Sequence, residues 1–317
     1  MPVDQRLSDA LDKLGAEFAN KDWKFCDVPP GSPWENAFVW PGTPEEEIKI
    51  SVHRGTSIQE LFHRQDFFFF NFAYLGSFDA YSCRDDNYIT INEGEGYMSQ
   101  PFVGYALNKT AEEEFIIIAV LIRKDTFSRT FLPTLSSDPR LFRFFLNPQT
   151  NQYSDEFIRL KFDDETLVRR LLELMTVEYA FLQEGTQSIL KPLTLALLME
   201  VARQYKKSAP EDANASLADQ IAQYMGEHIG TATLKDIAGH FAYHPNYISG
   251  LLHRELGKTF SQLLLEQRME RAVMLLKGTD LSIEEIAAML GYSNSSNFLK
   301  AFRMYYHMSP REFVHLQ

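Results

Sequence analysis

The chain has 317 residues, 45% hydrophobic and 23% charged, which places it among ordinary globular proteins with length for about two domains. Its longest apolar runs, such as residues 115–122, fall well short of the roughly twenty needed to span a membrane, and MPVDQRLSDALDKLG lacks a signal-peptide apolar region, so a cytoplasmic location without membrane contact is expected. The net charge of −12 argues against a broadly basic nucleic-acid binder, although the charge is uneven: residues 216–317 hold 9 Lys+Arg against 10 Asp+Glu, leaving 22 against 33 for residues 1–215.

Cys26 and Cys83 allow at most one pair, and no Cys–His spacing matches a zinc motif; both read as free thiols, with no metal or cofactor implied. From Ala37 to Ile122 come the aromatic and β-branched runs AFVW, IKISVH, FFFFNFAYLGSF, NYITI and EFIIIAVLI, punctuated by Pro-Gly, Asp-Asn and Gly-Glu-Gly. This pattern predicts a small all-β barrel or sandwich. Alternation in FFFFNFAY sets Phe68, Phe70, Phe72 and Tyr74 on one face and Phe67, Phe69, Asn71 and Ala73 on the other, leaving the inward face open.

From Asp163 to Tyr205 the period becomes helical, with Leu167, Leu171, Leu174, Met175 and Leu182 on one stripe and Leu193, Leu197 and Val201 on the next. Two helices are expected there, packed on the barrel or serving dimerisation. KKSAPEDANA, residues 206–215, is polar and reads as a linker between a domain at 1–205 and one at 216–317.

Everything beyond the linker reads helical, and one unit occurs twice. Leu234 to His244 aligns with Ile283 to Ser293 at an offset of 49 residues; after one insertion, Ile248, Leu251 and Leu252 match Phe298, Ala301 and Phe302. Thr233 with Asp236, and Ser282 with Glu285, give helix starts. Ala238 or Ala287 leaves room for a crossing helix, and a tight turn follows at Ala242-Tyr243 or Gly291-Tyr292. A second helix then begins at His244-Pro245 or Ser293.

In these second helices the face opposite the core carries Asn246, Ser249, Gly250 and His253 in the first copy, and Ser296, Leu299, Lys300 and Arg303 in the second. Such faces would meet base edges and phosphates in a major groove. Phe260 to Lys277 forms a spacer helix about 27 Å long at 1.5 Å per residue, which suits two recognition helices about one DNA turn apart.

The stretches DIAGHFAYHPNYISGLLHRELGKTF and LLLEQRMERAVMLLKGTDLSIEEIAAMLGYSNSSNFLKAFRMYYHMSP resemble the AraC family of transcription regulators over about a hundred residues. The resemblance implies a DNA-binding module of two helix-turn-helix units joined by a helix, attached to an effector-binding or dimerising N-terminal domain. It places Asn246, Ser249, Gly250 and His253, then Ser295, Ser296, Leu299, Lys300 and Arg303, at DNA-facing positions. Double-stranded DNA is the implied partner, with a homodimer and RNA polymerase as further candidates. Members usually carry Gly where His307 stands, and commonly near Ala242, so these helix ends are expected to be strained or differently closed.

His63-Arg-Gln-Asp-Phe-Phe, Gly76 and the segment from Gly94 to Pro101 resemble the cupin-type sensor barrel of many AraC regulators. Gln65 and Tyr105 stand where metal cupins carry imidazoles, which argues against a metal enzyme. A barrel of this size can enclose one small ligand, and His63, Phe70, Phe72, Tyr74, Tyr81, Tyr97 and Tyr105 are the candidate contacts, suited to a sugar or another polar molecule. The expected fold is therefore α+β: a cupin-like barrel with packed helices, then an all-α double helix-turn-helix domain. The expected function is a non-enzymatic, effector-controlled, sequence-specific regulator. The alternatives are a cupin-fold enzyme and an effector-independent regulator whose first domain only dimerises.

Overall fold

In the computed structural model the β-branched and aromatic runs become strands of one curled antiparallel sheet, and the apolar 3.6-residue stripes become helices. Residues 3–20, 25–26, 37–60, 62–82, 88–99, 104–135, 139–146, 157–162, 167–208 and 216–315 are described. The Cys26 side chain, Cys83 and most of the linker read at 206–215 lie outside them. Two units are defined, residues 1–127 with 152–209 and residues 128–151 with 210–317.

The first unit opens with α1 (Val3–Ala19) and continues through β1 (Phe25–Cys26), β2 (Ala37–Phe38), β3 (Ile48–Gln59), β4 (Arg64–Gln65), β5 (Phe68–Leu75), β6 (Phe78–Ser82), β7 (Tyr88–Ile91), β8 (Glu95–Ser99), β9 (Tyr105–Ile122) and α2 (Lys124–Thr126). Two further helices, α3 (Leu132–Leu135) and α4 (Pro139–Leu146), group with the second unit. The first unit then resumes with β10 (Phe157–Lys161), α5 (Leu167–Ala180) and α6 (Thr186–Ser208).

Strand β9 organises the sheet. Along one edge it pairs with β3, and along the other with β5 from Ile116 to Ile122 and with β6 from Tyr105 to Asn108. Strands β7 and β8 flank β6 and β5, and β10 pairs with β8. The register breaks at Gly55/Ser57 in β3 and at Ala73/Leu75 in β5, so the long strands bend together and the sheet curls into a nearly closed barrel.

Alternation then sorts β3, β5 and β9 into two buried faces. Phe69, Asn71, Ile117, Ala119 and Leu121 turn inward with Ser51 and His53, while Ile48, Ile50, Val52, Ile118 and Val120 turn outward and are equally buried. Helices α5 and α6 pack on β3, Phe68 stacks on Phe127 at 3.8 Å on the outer face, and α1, packed on β3 and α5, sends Phe18 to the inner side against His53. Of the stripe expected on α5, Leu171 and Met175 are buried, but Leu167, Leu174 and Leu182 are exposed. The buried set is Val168, Leu171, Leu172, Met175 and Tyr179, about one residue round the helix from the expected stripe.

The second unit continues with α7 (Leu217–Glu227), α8 (Leu234–His240), α9 (Pro245–Leu256), α10 (Phe260–Gly278), α11 (Ile283–Met289), α12 (Ser295–Tyr306) and α13 (Pro310–His315). Each repeated unit is therefore a short helix, a turn and a longer helix. Thr233 and Ser282 cap α8 and α11 through the amides of Asp236 and Glu285. Ile248, Leu251 and Leu252, and later Phe298 and Phe302, fill the two cores. Helix α10 bridges them, packing on α7 and α9 of the first and on α11 and α13 of the second. Helix α4, read from sequence as part of the first domain, lies on α7 and α10, where the buried Arg271 guanidinium sits 4.3 Å over the Phe142 ring.

The two copies also share a backbone constraint. Both need a left-handed residue in the inter-helix turn and another after the second helix: Ala242 (φ 57°) and Gly257 (φ 68°) in the first, Gly291 (φ 78°) and His307 (φ 59°) in the second. Each copy thus has glycine at one such site and an L side chain, at a strain cost of about 1–2 kcal/mol, at the other. Gly291 is further confined, since a Cβ there would meet the Gly230 carbonyl oxygen at 2.0 Å.

Ala242→Gly and His307→Gly are therefore predicted to stabilise the protein by about 0.5–1 kcal/mol each, whereas Gly291→Ala should cost about 3 kcal/mol or more. Urea unfolding of the three variants checks this; stabilisation by Gly291→Ala would contradict it.

Candidate functional site

The second helices of the two repeats present the outward faces expected of them. On α9 the apolar side buries Ile248, Leu251 and Leu252, leaving Asn246, Gly250 and His253 exposed and Ser249 half-buried. His244 starts the helix, its Nδ1 accepting from the Asn246 amide at 3.2 Å. On α12 Phe298 and Phe302 are buried, while Ser296, Leu299, Lys300 and Arg303 are exposed and Ser295 is half-buried.

The α12 cap differs from expectation. Asn294, not Ser293, is the capping residue and accepts from the Asn297 amide at 2.9 Å; Ser293 accepts instead from the Asn297 side chain at 3.0 Å. The reason is reach: extended backbone at Asn294 aims its side-chain Oδ1 at the third helical amide, that of Asn297. Sequence reasoning also passed over Tyr243 and Tyr247, which stack at 4.9 Å and stand 44% and 45% exposed at the start of α9. The signal was the i, i+4 spacing across a helix start.

Within the second unit, the mutual placement of the two helix-turn-helix repeats rests on α10. Arg268 donates from Nε and Nη2 to the Ile229 carbonyl at 3.1 Å, and its guanidinium lies 5.2 Å from the Tyr292 ring. It thereby ties the loop after α7 to the turn of the second helix-turn-helix.

The helix-turn-helix domain family matches residues 237–315. Over 124 residues the chain is 33% identical to the uncharacterized HTH-type transcriptional regulator YijO of Escherichia coli K12, covering 38% of this chain and 44% of that protein. Over 117 residues it is 28% identical to the melibiose operon regulatory protein of the same strain, covering 37% and 39%. The C-terminal unit is an AraC-type helix-turn-helix domain. Among solved structures, the C-terminal domain of AraT, a response regulator from Geobacillus stearothermophilus, is 31% identical, covering 33% of this chain and 89% of that one at a TM-score of 0.32. The chain spans less than half the length of the curated relatives it matches first.

Outside the AraC-type domain, the barrel encloses a cavity of about 450 Å³. Of the residues expected to contact an effector, His63 and Tyr105 line it; their backbones form an isolated bridge and their rings lie 4.7 Å apart. Tyr97 is buried in the same core, 6.2 Å from the Tyr105 ring. Phe70, Phe72 and Tyr74 are turned to the opposite face of β5, where Phe72 meets Phe162 and Tyr74 donates to Glu173 at 2.9 Å. Tyr81 is 39% exposed on β6. Helices bury the outer face of β5, so Phe70, Phe72 and Tyr74 mark helix packing rather than the lumen.

Residues that the sequence reading did not single out complete the cavity. Phe18 of α1, His53 and Glu60 at either end of the β3 bend, and Asn71 of β5 all border it. Gln65, on β4, donates to the Tyr105 hydroxyl at 2.7 Å. Burial pushes the Glu60 carboxyl up to about 7, against the opposing effect of the Leu107 amide, which donates to it at 3.1 Å. Burial holds the His53 imidazole below its ordinary value, opposed by a hydrogen bond with the Ser57 backbone, and raises the Tyr105 hydroxyl, with Glu60 adding to that rise. Among the described residues, the Asn71 amide nitrogen and His53 Nε2 are buried without a hydrogen-bond partner.

These shifts set the pH response of the first unit. A carboxyl raised from 4.5 to about 7 on folding favours the folded state while protonated, so its contribution is complete below pH 4.5 and lost as pH rises through about 7. Thermal unfolding is predicted to show Glu60→Gln gaining on the parent protein between pH 5 and pH 8. Parallel pH profiles for the two would contradict this.

Proposed function

We propose that the chain is a sequence-specific DNA-binding transcription regulator controlled by a small polar molecule held in the barrel. The observation that carries the first half is the doubled helix-turn-helix with both outward faces exposed. The second half is supported by the barrel cavity and its buried, unpartnered polar atoms. The matched proteins named as regulators and the Gln65–Tyr105 hydrogen bond, which occupies positions where a metal cupin has ligands, favour this reading over a cupin enzyme.

Within the proposed interface the two helices differ in chemistry. Lys300 and Arg303 on α12 suit phosphate and guanine contacts, while Asn246, Ser249 and His253 on α9 offer hydrogen bonds of lower strength. Gly250 lets a DNA backbone approach α9 closely; no described atom would crowd a Cβ there. The exposed Leu167, Leu174 and Leu182 near α5, with Ile189 and Met199 of α6, support pairing of two copies through the first unit.

Titration with DNA from upstream of its own gene, across a range of salt, tests the proposal. Lys300→Ala and Arg303→Ala are each predicted to weaken binding about tenfold, to lower the log–log salt slope by about one, and to leave the melting temperature unchanged. A large fall in melting temperature with undiminished affinity of the folded protein would refute the assignment. Gly250→Ala should stabilise α9 by about 0.5–1 kcal/mol while reducing DNA affinity.

A further inference from the structure

The cavity is lopsided in charge. Among the described residues its one carboxyl is that of Glu60, which accepts a backbone hydrogen bond from Leu107 and has no Lys or Arg paired with it. Arg54, at the same wall, gives Nη1 to Asp12 at 2.6 Å and Nε and Nη2 to Glu114 at 3.0 and 3.1 Å. Burial disfavours the charged form of His53, and the His63 ring lies against those of Phe38 and Tyr105, at 4.4 and 4.7 Å. Gln65, Asn71 and Tyr105 bring uncharged polar groups from β4, β5 and β9, and α1 contributes Gly15, Phe18 and Ala19.

An anion entering this space would meet a carboxyl, with the Arg54 guanidinium already committed to Asp12 and Glu114. A neutral polyol can hydrogen-bond the protonated carboxyl but leaves it uncompensated once it ionises above about pH 7. A cation satisfies it, and the rings of Phe18, Phe38, Phe69 and Tyr105 along the wall add cation–π attraction. We propose that the barrel takes a small organic cation, an amine whose ammonium pairs with Glu60 and whose remaining polar groups reach Asn71 and His53. The proposal rests on the effector-binding reading above and narrows the sugar or other polar molecule expected from the sequence to a cationic class.

The test uses the full chain and four probes: benzylamine, benzyl alcohol as its near-isosteric neutral analogue, glucose, and benzoate, each followed by thermal shift and calorimetry between pH 6 and pH 8. Benzylamine is expected to raise the melting temperature, with affinity increasing about tenfold from pH 6 to pH 8 as Glu60 gives up its proton. Glu60→Gln should fold and lose at least tenfold in benzylamine affinity. If that variant fails to fold, the pH dependence of the parent protein and the amine-to-alcohol ratio decide on their own. Binding of glucose, benzyl alcohol or benzoate in preference to benzylamine, or undiminished amine binding by Glu60→Gln, overturns the cationic class but keeps the effector reading. Absence of any shift with all four probes overturns both.

Discussion

The first unit depends on its barrel wall being buried from both sides. Helices α5 and α6 lie against β3, and the ring of Phe127 lies on Phe68, so the outward residues of the strands already form an apolar core. The inner face is a second apolar core, through Phe69, Tyr105, Leu107, Ile117 and Leu121, and Ser51, His53, Gln65 and Asn71 are set among these residues. Burial beside this apolar wall is what raises the Glu60 carboxyl.

The AraC-type domain solves a different problem: placing two short helical pairs in fixed relation with very little core. Helix α10 serves as a common wall, Arg268 binds the loop after α7 to the second turn, and Gly230 and Gly291 approach too closely for a side chain. Such a frame holds α9 and α12 rigidly while leaving their outer faces free of structural duty. Left-handed backbone is carried by exposed side chains at Ala242 and His307, but at Gly291 the Gly230 carbonyl leaves no room for a Cβ.

Much of this second unit was legible in the sequence because its determinants are local. Caps at Thr233 and Ser282, small residues at Ala238 and Ala287, and the repeat offset all act within a few residues of where they are written. The barrel's strands were legible for the same reason, but its inner face was not. Where both faces are buried, alternation separates Phe69 from Phe70 without saying which meets the lumen, and the many phenylalanines drew attention to the wrong side. Helix α1 carried a helical stripe, Leu7, Leu11, Leu14 and Phe18, that the sequence reading passed over, whereas β10 and the association of α4 with the second unit depend on contacts distant in sequence. Glu60 was hidden likewise, an ordinary strand-end glutamate until the β3 bend brings it beside Tyr105.

In the proposed function two helix-turn-helix units read one face of DNA together, and hydroxyl-radical footprinting of the full chain on its own upstream region tests this most directly. Two protected segments about one helical turn, roughly 10.5 base pairs, apart on the same face are expected. A single protected segment, or protection spread evenly along the duplex without preference for sequence, would contradict it.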